Sequence, residues 1–284
     1  MKLGVVDVGG GLRGIYAAGV LDYCIDQGIQ FDCCVGVSAG SANLISFMAG
    51  QRGRCKLFYT EYAFRKQYMG IGNFLRSGSY IGLEYVYGVL SNSGGENPLD
   101  YQAFRSNPAE YYAVAENAVT GEAKYFSKKD IRQDDYRGLM ASSCIPGVDK
   151  PYVIDGVPYF DGALADPVPI RKAFELGCDK VVLILTKPAS VPRKPGKDLQ
   201  LAKLIRRRYP VSSKKIANRA KVYNASVKFA KKYTKAGKVC IVAPENTDGV
   251  STLSRKKENL EKLYMRGYHD GQSILKFLNN SGVK

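Results

Sequence analysis

Short apolar stretches alternate with helix-like stretches over the first fifty residues of the chain. LGVVDV (3–8) and FDCCVGVS (31–38) are apolar runs bounded by glycine or a small residue, a pattern typical of buried strands. GIYAAGVLDYCIDQG (14–28) and AGSANLISFMAG (39–50) carry apolar residues near helical spacing. The order strand, helix, strand, helix predicts a parallel sheet covered by helices, because parallel neighbours must be joined by a crossover.

The remainder of the chain adds further elements to this α/β plan. Residues 110–127 predict two strands around Thr120-Gly121, and 151–164 predict a hairpin that turns at Asp155-Gly156, a pair that favours a type I′ turn. Residues 70–98 are rich in Gly, Ser and Asn and predict a loop or lid. Helices are predicted within 136–148, 169–177 and 253–278, and buried strands within 179–188 and 238–245.

No repeat and no sharp linker interrupts the chain, so these elements predict one α/β domain. Residues 1–188, together with a last strand at about 238–245, are expected to form the core. Residues 189–284 are expected to supply a basic helical segment and a C-terminal helix that complete the same domain.

The amino-acid composition indicates where in the cell the protein is expected and which binding partners suit it. The net charge of +16 favours anionic partners such as acidic lipid headgroups or phosphate-bearing substrates. Seven cysteines without a C-x-x-C pair indicate neither a metal site nor a disulfide framework, and they predict reduced thiols in the cytoplasm. The start, MKLGVVDVGGG, does not read as a signal peptide, and no stretch approaches the ~18–20 apolar residues of a membrane span. A cytoplasmic protein, peripheral to a membrane if it meets one, is therefore expected.

Residues 36–41, Gly-Val-Ser-Ala-Gly-Ser, match the pattern G-x-S-x-G. Alone the pattern is weak, because small residues often fill strand–helix turns merely for packing, and Ser38 could simply cap its helix. Its context is stronger, since Ser38 follows a predicted buried strand and precedes a predicted helix, which is the setting of an exposed serine nucleophile. Ser38 is therefore a candidate nucleophile.

The first strand runs into Gly9-Gly10-Gly11-Leu12-Arg13-Gly14, which also matches the dinucleotide pattern G-x-G-x-x-G. That interpretation needs an acidic residue at the end of the second strand, and Asp32 lies at its beginning instead. Consecutive glycines before a helix can alternatively expose N–H groups to a negative oxygen, which is what an oxyanion hole requires.

A serine hydroxyl needs a proton acceptor, and two candidates remain open. The order Ser38, Asp161, His269 matches an α/β-hydrolase triad, but His269 lies in a polar, helix-like segment and only one strand precedes the serine. The alternative is a carboxylate acting alone. Asp161 ends an apolar strand before Gly162 and Ala163, and a partly buried carboxylate has a raised pKa that suits a base near neutral pH.

Three elements in order, GGGLRG, GVSAGS and DGA about 120 residues later, together resemble the patatin-like phospholipase family. ASSCIPG (141–147) and ADPVPI (165–170) are also similar to that family, and the resemblance covers about residues 3–187. It implies a single three-layer α/β domain with a mostly parallel central sheet. It also implies a lipid acyl hydrolase that acts on a glycerolipid or lysophospholipid ester without a metal or other cofactor.

By the same resemblance, Ser38 is the nucleophile and Asp161 the base of a Ser-Asp dyad that has no histidine. Gly9, Gly10 and Gly11 would form the oxyanion hole, and Arg13 would support that loop or face the substrate phosphate. The sequence departs from the family in one place, because Val8 stands where the family usually has an acidic residue and Asp7 lies one position earlier.

Residues 201–238 hold thirteen Lys and Arg and no Asp or Glu. Four lysines recur every seven residues and predict one basic face of an amphipathic helix that could contact an anionic membrane; a helix packed on the domain with solvated lysines is the alternative. No specific nucleic-acid partner is expected, because no aromatic-interleaved motif accompanies the basic run. Rival functions are an acyltransferase and a non-catalytic membrane- or phosphate-binding protein. The four lysines are Lys214, Lys221, Lys228 and Lys235.

Overall fold

The computed structural model of the chain describes residues 1–253 and 255–279. The described residues form an eight-stranded sheet in the order β5-β6-β3-β2-β1-β7-β8, with β4 also paired to β3. The strands are β1 Leu3–Asp7, β2 Cys33–Val37, β3 Glu110–Asn117, β4 Ala123–Ser127, β5 Tyr152–Ile154, β6 Val157–Asp161, β7 Lys180–Ile184 and β8 Val239–Val242.

The sheet is mostly parallel, as the β-α-β-α pattern predicts. β1 pairs in parallel with β2 and β7, β2 with β3, and β7 with β8, whereas β4, β5 and β6 form antiparallel pairs. The helices are α1 Ile15–Asp26, α2 Ala39–Met48, α3 Arg54–Thr60, α4 Ile71–Ser77, α5 Tyr101–Ser106, α6 Arg137–Ser143, α7 Ile170–Glu175, α8 Gly196–Ile205, α9 Pro210–Lys235, α10 Lys257–Asp270 and α11 Gln272–Asn279.

Helices cover both faces of the sheet, which makes the three layers that were expected. Alternate residues of each strand belong to different cores: Val5 faces the core shared with α1 and α2, and Val6 faces the core shared with α7 and part of α9. Central strands that are buried on both faces read as continuous apolar runs, which explains LGVVD and CCVGV. The predicted α/β fold class is confirmed.

β2 and β6 lie along the same edge of β3. Glu116 of β3 pairs with Ala123 of β4 and with Phe160 of β6, so β4 and β6 occupy opposite edges. β2 and β4 both pair along the middle of β3, so they also occupy opposite edges. β2 and β6 therefore approach each other end to end on one edge, and their carboxyl ends meet.

The hairpin between β5 and β6 turns where its sequence predicts. Asp155 has φ 48° and Gly156 φ 81°, the pair of left-handed residues that a type I′ turn needs. By contrast, the predicted loop at 70–98 is partly helical, because it contains α4 and a π-helix at Glu84–Val89. The helix predicted within 253–278 is divided into α10 and α11 at Gly271, and its residue 254 lies outside the described residues, as do residues 280–284 at the end of the predicted C-terminal region.

Candidate active site

The site is built where β2 and β6 end against β3. Val37, the last residue of β2, lies opposite Val114, and Asp161, the last residue of β6, lies opposite the next residue, Ala115. Ser38 directly follows Val37. Residues 123 positions apart in the chain are thus brought together by one strand register, not by local sequence.

Ser38 lies at a strained turn between β2 and α2. Its backbone has φ 56° and ψ −131°, a conformation that few residues other than glycine adopt. The Ser38 N–H donates to the Ser142 Oγ over 2.9 Å, and the Ser38 carbonyl accepts from the Ser41 N–H over 2.9 Å. The residue is only 5% exposed. This is the sharp strand–helix turn that G-x-S-x-G predicts.

The two glycines of the motif are required by close packing. A Cβ at Gly36 would lie 2.5 Å from the Ser41 Cα, and a Cβ at Gly40 would lie 2.7 Å from the Asp7 Cγ. Real Cβ atoms do not approach other atoms so closely, so larger residues at these positions would push α2 away from β1 and β2.

Asp161 is buried beside Ser38 and is 4% exposed. Its Oδ1 accepts from the Ala163 N–H over 2.8 Å, which fixes the carboxyl at the start of a short 3-10 helix. Burial raises the pKa of the Asp161 carboxyl, and a hydrogen bond with the Ser38 side chain and the bond from Ala163 partly oppose that rise. The carboxyl is therefore a stronger base than an exposed aspartate and is in contact with the candidate nucleophile.

The glycine loop approaches the same place from β1. Gly9, Gly10 and Gly11 all have left-handed φ values, of 60°, 123° and 61°. The Gly9 N–H donates to the Asp7 Oδ1 over 2.9 Å, so this donor is already engaged. The N–H groups of Gly10 and Gly11 donate to no other described residue. Within the part of the chain that the structure describes, two of the three predicted donors thus have no acceptor.

Asp7 is the anchor of this loop, a role that sequence reasoning left unassigned. Its side chain is fully buried, accepts from Gly9 and also accepts from the Asn43 Nδ2 over 3.0 Å. Burial raises the pKa of Asp7 to about 6, against the effect of those two bonds. Asn43 also donates to the Gly14 carbonyl over 3.0 Å and accepts from the Tyr59 hydroxyl. The network joins the loop to α2 and α3. The only sign of it in the sequence was that Asp7 stands one position before the place where the family usually has an acidic residue.

Arg13 lies against the glycine loop and is 8% exposed. Its Nη1 donates to the Thr252 Oγ1 over 3.0 Å, and its Nη2 would lie 2.9 Å from a Cβ at Gly10. Burial, together with the positive charges of Arg193 and Arg219, lowers the pKa of Arg13 to about 10. Arg13 therefore touches the loop, as one of its two expected roles requires.

Ser38 and Gly11 line a largely apolar pocket that encloses about 730 Å³ of unfilled space, part of it open to solvent. Its walls come from α2, α3, the π-helix and the segment before it. Part of the 70–98 segment thus does line the pocket, although with helical structure and not as a plain loop. The apolar lining includes Phe58, Tyr68, Met69, Ile81, Leu83, Val86 and Leu253.

His269 lies elsewhere. It is an exposed residue of α10, a helix that packs on α1, and its ring contacts Tyr268 with centroids 6.3 Å apart. It is absent from the lining of the Ser38 pocket. The structure thus brings Asp161, and not His269, to the candidate nucleophile.

Within residues 1–253 and 255–279, no group of three His, Cys, Asp or Glu side chains is arranged to hold a metal ion. No helix in the same part of the chain is long and apolar enough to cross a membrane.

Comparison with known proteins gives two family matches. Residues 8–174 match the model of the patatin-like phospholipases, and residues 209–281 match a domain of unknown function, DUF6363. The first match contains the glycine loop, Ser38 and Asp161.

Related proteins agree with the first match. The uncharacterized protein YjjU of Escherichia coli is 29% identical over 67% of this chain and 53% of its own length. Lysophospholipase NTE1 of Kluyveromyces lactis is 26% identical over 97% of this chain but only 19% of its own length. The chain therefore spans about half of the first relative and about a fifth of the second.

Among solved structures, VipD of Legionella pneumophila has the same fold. Its TM-score is 0.50 at 14% sequence identity, and the match covers 97% of this chain and 67% of that protein. At this identity the likeness concerns the fold alone.

Proposed function

The chain belongs to the patatin-like phospholipase family, and on this premise we propose that it is a serine lipid acyl hydrolase of phospholipase A or lysophospholipase type. Relatives named lysophospholipase support a lipid ester as the substrate class. The observation that carries the proposal is the placement of the buried Asp161 carboxyl beside Ser38, which lines an apolar pocket. Such a pocket suits an acyl chain, whose burial is favourable by about 0.8 kcal/mol per CH₂.

In the proposed acylation step, the Ser38 Oγ attacks the ester carbonyl carbon while Asp161 accepts the hydroxyl proton. The carbonyl electrons move to the oxygen and form a tetrahedral oxyanion. As this intermediate collapses, the carbon–oxygen bond to the alcohol breaks and the alcohol oxygen takes the proton from Asp161. The fatty acyl group remains on Ser38 as an ester.

Water completes the proposed cycle. It attacks the acyl-serine, gives a proton to Asp161 and forms a second oxyanion. Collapse of this intermediate releases the fatty acid, and the proton returns to the Ser38 oxygen. Both oxyanions would accept from the N–H groups of Gly10 and Gly11, while Gly9, held by Asp7, would keep the loop in its left-handed conformation.

The raised pKa of Asp161 predicts the direction of the pH dependence. A protonated carboxyl cannot accept the Ser38 proton, so kcat/KM is expected to fall as pH falls through the pKa of Asp161 in the free enzyme. Because burial raises this pKa, the midpoint should lie above the ~3.9 of an ordinary aspartate. The measurement is kcat/KM for a neutral, soluble ester between pH 4 and pH 9.

Two other buried carboxyls titrate nearby and need controls. Burial raises the pKa of Asp7 to about 6 and that of Asp149 to about 7. Asp7→Asn and Asp149→Asn should each leave the midpoint in place. A midpoint that moves with either variant would assign the profile to that residue instead of Asp161.

The direct test of the proposed function is a lipid-ester screen with the purified chain. Lysophospholipids, phospholipids and monoacylglycerols should release free fatty acid, and Ser38→Ala should not release it. Product analysis with and without added alcohol separates hydrolysis from acyl transfer, since a transferase would place the acyl group on the alcohol. Absence of acyl release from every lipid class would contradict the proposal.

We also propose peripheral contact with anionic membranes through the lysine face of α9, defined by Lys214, Lys221, Lys228 and Lys235. All four lysines are exposed, whereas Ile216, Ala220, Val227 and Ala230 on the same helix are buried. The apolar face is therefore occupied by the domain, and the contact would be electrostatic, worth about 1 kcal/mol for each lysine near the surface.

Cosedimentation with vesicles tests this contact. On phosphatidylglycerol-containing vesicles at low salt, changing all four lysines to glutamine should weaken binding by at least about tenfold, and the charge-retaining change of all four to arginine should not. Binding to purely zwitterionic vesicles should be weak for all three proteins. Equal binding by the glutamine variant would exclude this helix face as the contact.

A further inference from the structure

Four cationic side chains gather beside the glycine loop around a single carboxylate. They come from four separate parts of the chain, and three of them lie beyond the residues that match the patatin-like family model. The cations are Arg13, Lys187, Arg193 and Arg219, and the carboxylate is Asp198.

Asp198 holds two of the cations in place. Its Oδ2 accepts from the Arg219 Nε over 3.1 Å and from the Arg193 Nε over 3.3 Å. The side chains of Asp198 and Arg219 are only 7% and 14% exposed. The Arg193 backbone is clamped to α9, because its N–H donates to the Asn224 Oδ1 over 2.8 Å and its carbonyl accepts from the Asn224 Nδ2. These arginines are therefore preorganised.

The other two cations have donors to spare. The Arg13 Nε is buried and has no hydrogen-bond partner. Lys187 is half-buried, and its ammonium has no hydrogen-bond acceptor among residues 1–253 and 255–279. Burial and the charges of Arg13 and Arg193 lower the pKa of Lys187 to about 8. A cluster whose members repel one another in this way is stabilised by an anion.

Arg13 and Lys187 connect the cluster to the glycine loop. Thr186, the neighbour of Lys187, donates through its hydroxyl to the Gly9 carbonyl and would lie 2.8 Å from a Cβ at Gly10. The Arg13 Nη2 would lie 2.9 Å from the same Cβ at Gly10. The charges of Arg219 and Arg193 also reach Asp161, whose ionised form they favour.

We propose that Lys187, Arg193 and Arg219, with Arg13, bind the phosphate of an anionic glycerolipid and so position its acyl ester at Ser38. This inference rests on the proposed hydrolase function and assigns the binding of the substrate phosphate to residues that nothing else assigns to it. In a glycerophospholipid only the glycerol backbone separates the phosphate from the esters, so a phosphate site must adjoin the oxyanion loop, as this cluster does. Asp198 engages the Nε and Nη2 groups of Arg193 and Arg219, so each arginine would offer the phosphate its Nη1, and Lys187 adds a point charge.

The half-buried setting favours a single compact anionic group over an extended polyanion. Arg219 and Asp198 are largely enclosed, whereas the exposed Arg206, Arg207 and Arg208 lie on the segment between α8 and α9. The latter group supplies a matched control, because Arg207→Gln removes the same charge from the surface without touching the cluster.

Binding can be measured independently of catalysis. In a Ser38→Ala background, titration calorimetry with glycerol 3-phosphate and with inorganic phosphate should give saturable binding. Lys187→Gln and Arg219→Gln should each raise Kd by about tenfold or more, as expected for loss of a charge-assisted contact, and Arg207→Gln should leave it unchanged. Tighter binding of glycerol 3-phosphate than of phosphate would identify a lipid-type headgroup, and equal binding would identify a site for the free ion.

Hydrolysis rates with two matched lipids provide the second test. In the wild type, kcat/KM for an acyl-lysophosphatidic acid should exceed that for the monoacylglycerol of the same chain length. This ratio should fall by about tenfold to a hundredfold in Lys187→Gln and Arg219→Gln and remain the same in Arg207→Gln. Circular dichroism and the melting temperature establish that each variant is folded, and Lys187→Arg, which keeps the charge, should retain most of the ratio.

The outcomes separate this inference from the proposed function. Hydrolysis with no phosphate preference, or with a preference that the cluster variants leave intact, would overturn the phosphate site and leave the hydrolase. Glycerol 3-phosphate binding that the cluster variants weaken, in a protein that releases no fatty acid, would support the site and reject the hydrolase. Absence of glycerol 3-phosphate binding at millimolar concentration would overturn the site.

Discussion

Ser38→Ala is expected to lower kcat/KM for lipid-ester hydrolysis by a factor of about a thousand or more and to abolish covalent labelling by a fluorophosphonate probe. The hydroxyl is the group that would carry the acyl chain, and among the serines of residues 1–253 and 255–279 no other has a positive φ. The measurement pairs fatty acid release with mass-spectrometric mapping of the labelled residue. The small, buried side chain makes a folding defect a minor concern.

A matched control comes from an exposed serine. Ser190→Ala removes the same hydroxyl from a surface position and should label and hydrolyse like the wild type. Labelling that survives in Ser38→Ala, or that maps to another residue, would reject Ser38 as the nucleophile. A wild-type protein that never labels would favour the non-catalytic rival.

Asp161→Asn is expected to lower kcat/KM by a factor of about 10²–10⁴, the usual contribution of a positioned general base. Asparagine keeps an Oδ1 acceptor for the Ala163 N–H, so the local turn should survive. His269→Gln should leave activity unchanged, because His269 is exposed on α10. Comparable losses in the two variants would instead favour a triad that includes His269.

The thermal stability of Asp161→Asn provides a second test of the role of Asp161. A carboxyl whose pKa is raised in the folded state destabilises that state when it is ionised, and this effect grows as pH rises through the interval between the unfolded and folded pKa values. At neutral pH, Asp161→Asn should therefore melt at a higher temperature than the wild type while it loses activity. A variant that is both inactive and less stable would indicate a structural role.

The sequence predicts the core of the fold because its signals there are local. The apolar runs of β1 and β2, the helical spacing of α1 and α2 and the Asp155-Gly156 turn each depend on neighbouring residues alone. α4 and the π-helix were missed because glycine and serine lower the helix propensity of their segment. The π-helix is packed through the buried Val86 and Tyr87, whereas α4 buries only Asn73.

The site was only partly accessible from sequence. Ser38 could be singled out by its motif, and Asp161 by the resemblance, but the end-to-end approach of β2 and β6 depends on the register of β3. Asp7 was marked only as an acidic residue one position away from the family pattern, and apart from Arg13 the cationic cluster had no motif. Lys187, Arg193 and Arg219 are dispersed along a basic stretch in which nothing marks the three that turn inward.

The pairing of β8 with β7, and of β7 with β1, has a practical consequence for anyone who trims this chain. A fragment cut to residues 8–174 would lose β1, β7 and β8 entirely, so the main-chain amides and carbonyls of β2 would face water along an open apolar edge. Such a fragment should self-associate instead of folding. The stretch that carries the recognisable motifs is thus shorter than the smallest piece expected to be autonomous.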